Sequence, residues 1–127
     1  MSGPARAGLS IYANEMNRLI SFYEAVCGMS VIHTSRDVSV LQSSDIQLIV
    51  LRMPDDRAND IVIEDPPKLR DAALKFFFTV PSIDAARSVA EDKGGGVGAE
   101  QWQGPGFIVR NAYDPEGNVF HLRQRLE

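Results

Sequence analysis

The sequence predicts one α+β domain assembled from two βαβββ modules, and three observations carry that prediction. A chain of 127 residues is long enough to bury a real core but too short for two ordinary domains. The order strand, helix, strand, strand, strand occurs twice. A shift of 67 positions carries Ala13 onto Val80, Met16 onto Ile83 and Gly28 onto Gly95 without a gap, so the repeat is one of structure even though few identities accompany it.

Leu9-Ser-Ile-Tyr-Ala13 alternates as a strand does, and Asn14 offers an N-cap for a helix beginning near Glu15. Within that helix Met16, Leu19, Ile20, Tyr23, Val26 and Cys27 recur at spacings of three and four, a stripe that faces a core, and Gly28 ends it. Strand-like runs follow at Ser30–Thr34, Val38–Gln42 and Ile46–Leu51, parted by turn-rich Ser-Arg-Asp and Ser-Ser-Asp, completing a first module over 8–52. The connection 53–73 contains Pro54-Asp-Asp, Ala58-Asn-Asp and Asp65-Pro-Pro and reads as a linker or a lid.

The second module, 74–124, opens with Phe76-Phe-Phe-Thr-Val80 and a helix from Ile83 to Asp92 that turns Ile83, Ala86, Val89 and Ala90 to the core. Gly94-Gly-Gly96 terminates that helix. Because these glycines follow a helix and precede a strand, they are not the phosphate cradle that lies between a strand and a helix start. Runs at Val97–Trp102, Phe107–Ala112 and Val119–Arg123 are separated by Gln-Gly-Pro-Gly and Asp-Pro-Glu-Gly-Asn, both turn-forming.

The composition is 44% apolar and 24% charged, with a formal charge of -4 spread along the chain; it is that of a soluble globular protein. No basic stripe invites nucleic acid. The run Ile46-Gln-Leu-Ile-Val-Leu51 is far below the ~20 residues that span a bilayer. The start Met-Ser-Gly-Pro-Ala-Arg lacks a signal peptide's apolar stretch, so no membrane association and a cytoplasmic location are expected. The single cysteine, Cys27, has no partner for an internal disulfide and is expected to pack inertly.

Ile20-Ser-Phe-Tyr23, Val26-Cys-Gly-Met29 and Asp114-Pro-Glu-Gly-Asn118, in that order within two βαβββ modules, resemble the vicinal oxygen chelate superfamily. That group includes glyoxalase I, extradiol dioxygenases, methylmalonyl-CoA epimerase and the bleomycin- and fosfomycin-resistance proteins. The resemblance runs from about Gly8 to Gln124. It implies a curved, half-open barrel of mixed β-sheet with helices outside, a cleft for a small molecule and, commonly, a homodimer. In the superfamily's metal enzymes each module's first strand offers a histidine or another ligand and its fourth strand a glutamate. Here the first position falls on Gly8, and the fourth strand of the first module holds only Gln47 as a polar residue, in an uncertain register. The third position falls on Lys75, whose ammonium has no lone pair, and the last on His121. A catalytic metal needs about three protein ligands, so no cofactor is expected, unless His33 or a partner subunit supplies donors.

Strand alternation sorts the remaining side chains. With Leu9, Ile11 and Ala13 under the first helix, Ser10 and Tyr12 look into the cleft; with Phe76, Phe78 and Val80 under the second, Lys75, Phe77 and Thr79 do. His121 joins them, since Phe120 and Leu122 take the core side. Gln47, His33, Trp102 and Arg110 are further candidates, and such a lining suits an amphipathic or anionic organic ligand. Lys75 beside His121 would keep the imidazole neutral, which makes the two catalytic candidates: His121 as base, Lys75 stabilising an enolate or carboxylate oxygen.

Plainer roles compete at each position. A strand histidine commonly bonds to water or backbone, a lysine at a strand's start commonly meets solvent, and His33 reads as a surface or cross-strand residue. Tyr12 serves equally to fill a short barrel, and Trp102 serves as hinge, dimer contact or pocket wall. Arg110 either meets an acid in the cleft or pairs with Asp37 or Glu100 on a neighbouring strand. The expected function is metal-independent binding of a small organic molecule. Its rivals are a lyase, isomerase or dioxygenase of the same fold, using a rearranged metal or His121, and a dimeric interaction module whose cleft Phe77, Tyr12 and Trp102 fill. Fold alone names no substrate.

Overall fold

A computed structural model describes residues 5–55 and 64–127 of the chain. The first module comprises β1 (Gly8–Ala13), α1 (Met16–Cys27), β2 (Ser30–Thr34), β3 (Val38–Gln42) and β4 (Gln47–Arg52). The second comprises β5 (Phe77–Thr79), α2 (Ile83–Asp92), β6 (Gly96–Gly104), β7 (Phe107–Tyr113) and β8 (Val119–Arg125). Each module forms its own four-stranded mixed sheet, in the orders β1-β4-β3-β2 and β5-β8-β7-β6. In both, the first and last strands of the module pair in parallel, β1 with β4 and β5 with β8, because the helix between them carries the chain back across the sheet. The result is two curved sheets with helices on one side, an α+β architecture and not a closed barrel.

Elements form where the residue pattern places them, with two instructive departures. The first concerns how α1 begins. Asn14 does not cap α1: the N-cap residue is Glu15, whose side chain makes no cap bond. Instead Glu116, from the turn between β7 and β8, accepts the backbone N–H groups of Asn14 and Glu15 at 3.0 and 2.8 Å. A buried carboxylate from the other module thus satisfies donors at the start of the helix and suits the positive end of its dipole. Gly28 ends α1 in the left-handed region, φ 66°, its N–H reaching the Tyr23 carbonyl.

The second departure is the width of the apolar stripe. Phe22 is fully buried alongside Leu19, Tyr23 and Val26, although the predicted stripe omits it; it stands three residues after Leu19 and four before Val26. Its neighbours explain this: α1 packs on α2 and on its own sheet, and its aromatic residues also meet the second sheet, so more than one stripe is covered. Phe22 and Tyr23 stand edge-on at 5.0 Å, and Tyr23 lies 5.6 Å from Phe120. Phe76 stacks on Phe120 at 5.1 Å, with an interplanar angle of 4°. Phe76 and Phe78 therefore pack against Tyr23 of the first module as well as within their own. Gly95 is required by this core, since a Cβ there would run into the Phe22 ring and the Tyr113 carbonyl.

The turn Asp114-Pro-Glu-Gly-Asn118 is the joint between modules. Asp114 accepts the backbone N–H groups of Glu116 and Asn118, the Asn118 amide and the Tyr23 phenol. Of the connection 53–73, residues 56–63 lie outside the described residues. Its later part is tied to the same turn, with Arg70 N–H bonded to the Gly117 carbonyl at 2.7 Å and Arg70 bridged to Asn118. Among the described residues no helix is long and apolar enough to cross a membrane.

Candidate functional site

Both sheets leave one face bare of helices, and the register of pairing decides which side chains occupy it. In the second sheet Phe77 stands opposite His121 and Thr79 opposite Arg123, while across β7 Asn111 pairs with His121 and Val109 with Arg123. Phe77, Thr79, His121, Arg123, Asn111 and Val109 therefore share that front face, since alternate residues of paired strands point together. In the first sheet Gly8 stands opposite Gln47, Ser10 opposite Ile49 and Tyr12 opposite Leu51, and these form the corresponding front.

Between the sheets runs an open groove of about 890 Å³. One wall is the edge strand β5 with Lys75; the other is the end of α1, strand β2 and the β3–β4 turn, including Cys27, Ile32 and Gln42. Cys27 lines the groove without being reactive, because burial pushes its thiol up and keeps it protonated.

Lys75, Phe77 and His121 are brought together as the sequence suggests. The Lys75 ammonium pairs with the Asp71 carboxylate and donates to the Ala72 carbonyl. His121 has its proton affinity lowered, first by burial, then by the charges of Lys75 and Arg123, with Asp71 opposing. Its imidazole is accordingly neutral at physiological pH.

The other candidates are placed differently. Arg110 pairs with Leu122 and so faces the helices: it is buried, its Nε donates to the Gly98 carbonyl at 2.7 Å, and Nη1 lies 3.8 Å from Asp84 of α2. A cleft role for Arg110 is thereby corrected, and its acidic neighbour is neither Asp37 nor Glu100. Trp102 shares the front through its pairing with Val109, but it lies inside β6, not beside a turn, and three strands from β5, roughly 14 Å away. Tyr12 and Gln47 lie on the first sheet, where the Gln47 amide donates to Gln42 at 2.8 Å. His33, exposed on β2 beyond an irregularity in the β2–β3 pairing, stands opposite Val40. Tyr12, Phe77 and Trp102 are 53%, 48% and 43% exposed, so these rings do not fill the space in front of them.

The register also settles which residue of β4 matches His121. Ser10 corresponds to Phe77 under the 67-residue shift. Ser10 pairs with Ile49 as Phe77 pairs with His121, so Ile49, not Gln47, holds that place in the first sheet. Among the described residues no three His, Cys, Asp or Glu side chains converge.

Arg123, Phe107 and Asn111 were missed by the sequence reading. The signal for Arg123 was present, since it lies two residues beyond His121 on the same strand; those for Phe107 and Asn111 depended on the register of β7.

Residues 8–123 match the family model of the glyoxalase-like domain. The chain belongs to the glyoxalase-like domain family. Solved structures of the vicinal oxygen chelate superfamily share the fold of this glyoxalase-like chain. A glyoxalase/bleomycin resistance protein/dioxygenase family enzyme from Burkholderia phytofirmans PsJN is 17% identical, with a TM-score of 0.68 over 94% of this chain and 98% of its own. The fosfomycin resistance protein FosX from Mesorhizobium loti is 13% identical, with a TM-score of 0.64 over 98% and 93%. The bleomycin resistance determinant encoded on the transposon Tn5 is 17% identical, with a TM-score of 0.62 over 96% and 98%. No curated protein matches the glyoxalase-like chain significantly. At these identities the likeness is one of fold.

Proposed function

We propose that this glyoxalase-like protein binds a small organic molecule, amphipathic or anionic, on the front of the second sheet and in the adjoining groove, without a metal. One observation carries the reading: an open, partly aromatic surface stands where the superfamily's four metal-ligand positions are Gly8, Ile49, Lys75 and His121. A glycine has no donor, an isoleucine none, and an ammonium no lone pair. Such a set does not fit a divalent ion, which needs about three protein ligands. A second copy of the same chain repeats the same four residues, so a homodimer does not repair the set at those positions.

The half-exposed rings of Tyr12, Phe77 and Trp102 suit two tasks, contact with a ligand and contact with a second copy. We take the protein to act as a cytoplasmic homodimer, with modules 8–52 and 74–124 in one domain and 53–73 as their linker.

A second reading, an enzyme of the same superfamily, is favoured by one feature. A neutral His121 beside Lys75 is a competent base next to a charge able to stabilise an oxyanion. His121→Ala separates the two, since a binder keeps most of its affinity and an enzyme loses turnover.

The test is elemental analysis of untagged protein purified without chelator, with thermal unfolding followed as zinc, nickel, manganese, iron(II) and cobalt are added. We expect no bound metal and no shift with these ions, but a shift with aromatic carboxylates. About one tightly held metal per chain, lost in His121→Ala, overturns the proposal.

A further inference from the structure

Two front-face cations of β8, Arg123 and the exposed Arg125, make no ion pair among the described residues, and Arg123 differs in being held between aromatic rings. Its guanidinium carbon sits 3.8 Å from the centroid of Phe77 and 4.2 Å from that of Phe107. Phe77 is on β5 and Phe107 on β7, with β8 between them, so the two rings hold the planar group from either side. Cation–π contact fixes the plane of the guanidinium and leaves its N–H edge as the only route to a hydrogen bond. Nε of Arg123 is shut off from solvent and has no hydrogen-bond partner among the described residues. Arg18, Arg52, Arg87, Arg110 and Lys75 lie within ion-pair distance of a carboxylate; Arg123 makes no such pair among the described residues, and what distinguishes it from the other unpaired cations is the ring clamp together with the enclosed Nε.

We propose that Arg123 is the anion-binding residue of the front face, taking the carboxylate of a small ligand whose flat apolar body lies toward Val109 and Trp102. This rests on the reading of that face as a small-molecule site. An unpartnered, ring-clamped guanidinium is preorganised for two parallel hydrogen bonds to an acid. The carboxylate is preferred to a phosphate because it is planar and lies in the plane of the fork, between rings that crowd a tetrahedral group. Asn111 and neutral His121 offer further hydrogen bonds on the same face, and Asp71, whose charge reaches His121, is paired with the Lys75 ammonium.

Three probes of one shape test the assignment: 1-naphthoate, 1-naphthamide and 1-naphthyl phosphate, titrated calorimetrically into wild type, Arg123→Gln and Arg123→Lys. We expect wild type to bind the naphthoate at least tenfold tighter than the amide. Arg123→Gln should abolish that preference by lowering naphthoate affinity far more than amide affinity, and Arg123→Lys, which keeps charge but loses the fork, should retain only part of it. If Arg123→Gln does not fold, Arg123→Lys decides alone: an undiminished preference overturns the proposal. Equal wild-type affinity for naphthoate and naphthamide overturns the Arg123 assignment while the small-molecule reading stands. A preference for the phosphate overturns the choice of carboxylate, and no binding of any probe overturns both readings.

Discussion

The phenol of Tyr23, on α1, donates a 2.7 Å hydrogen bond to the carboxylate of Asp114, in the turn before β8, and both side chains are fully buried. Burial, reinforced by the Asp114 charge, pushes the Tyr23 phenol well up, so it remains a donor throughout the working pH range. Burial also raises Asp114, while the donors from Asn118 and Tyr23 hold it down.

Removing that donor should cost stability in a pH-dependent way. Tyr23→Phe is expected to lower unfolding free energy by about 1–3 kcal/mol, measured by urea denaturation. With the donor gone the folded-state affinity of Asp114 for its proton rises further. A folded-state pKa above the unfolded one makes stability fall as pH rises through that interval, so the loss should be larger at pH 7 than below pH 3.8. An equal loss at both would show that the bond does not act through the Asp114 charge.

Glu116 caps α1 from across the module boundary, and Glu116→Ala should leave two backbone N–H groups without their acceptor. We expect a loss of about 2 kcal/mol, with less lost in Glu116→Gln, which keeps an acceptor oxygen. A change within about 0.5 kcal/mol for Glu116→Ala, the range typical of surface positions, would mean that water replaces the cap freely.

His121 should titrate below the ordinary histidine value of 6.5, for burial and the charges of Lys75 and Arg123 both disfavour the imidazolium. The sequence has two histidines, so imidazole proton resonances assigned with His33→Gln give the value directly. Lys75→Met should move it upward. Because the folded-state pKa is depressed, the unfolded chain binds more protons below 6.5; the contribution of His121 is full above 6.5 and is lost as pH falls through the folded value. No upward movement in Lys75→Met would remove the electrostatic link between the pair.

Two phenylalanines should separate folding from binding. Phe22→Ala opens the core at the meeting of the modules and is expected to cost about 3–5 kcal/mol. Phe77 is half-exposed and clamps Arg123, so Phe77→Ala should leave the midpoint of thermal unfolding nearly unchanged yet weaken 1-naphthoate binding several-fold. Undiminished binding in Phe77→Ala would place the ligand elsewhere.

Much of the fold was legible because its signals are local. The repeat of alternating strands and three-and-four helices located every element of both modules to within about two residues; β2, β3 and α2 have the predicted bounds. Alternation within one strand sufficed to put Ser10, Tyr12, Phe77 and His121 on the helix-free side. It failed where a side was fixed by a partner strand. Arg110 has no intrinsic side until Asn111, its neighbour, is seen to pair with His121, and Gln47 and Ile49 exchange roles with a shift of register by two.

By itself, then, the sequence determined the two modules and their family, because those follow from residue type and short spacing, whereas the residue of β4 that matches His121 waited for the register. Tertiary structure alone decided that Glu116 and Asp114 lock one module to the other, that Phe22 meets Phe120 of the second module, and that Arg123 lies between Phe77 and Phe107. Each of these joins residues far apart in the chain, Glu15 with Glu116 among them, and only the closing of the fold brings such groups within hydrogen-bond or ring-stacking distance.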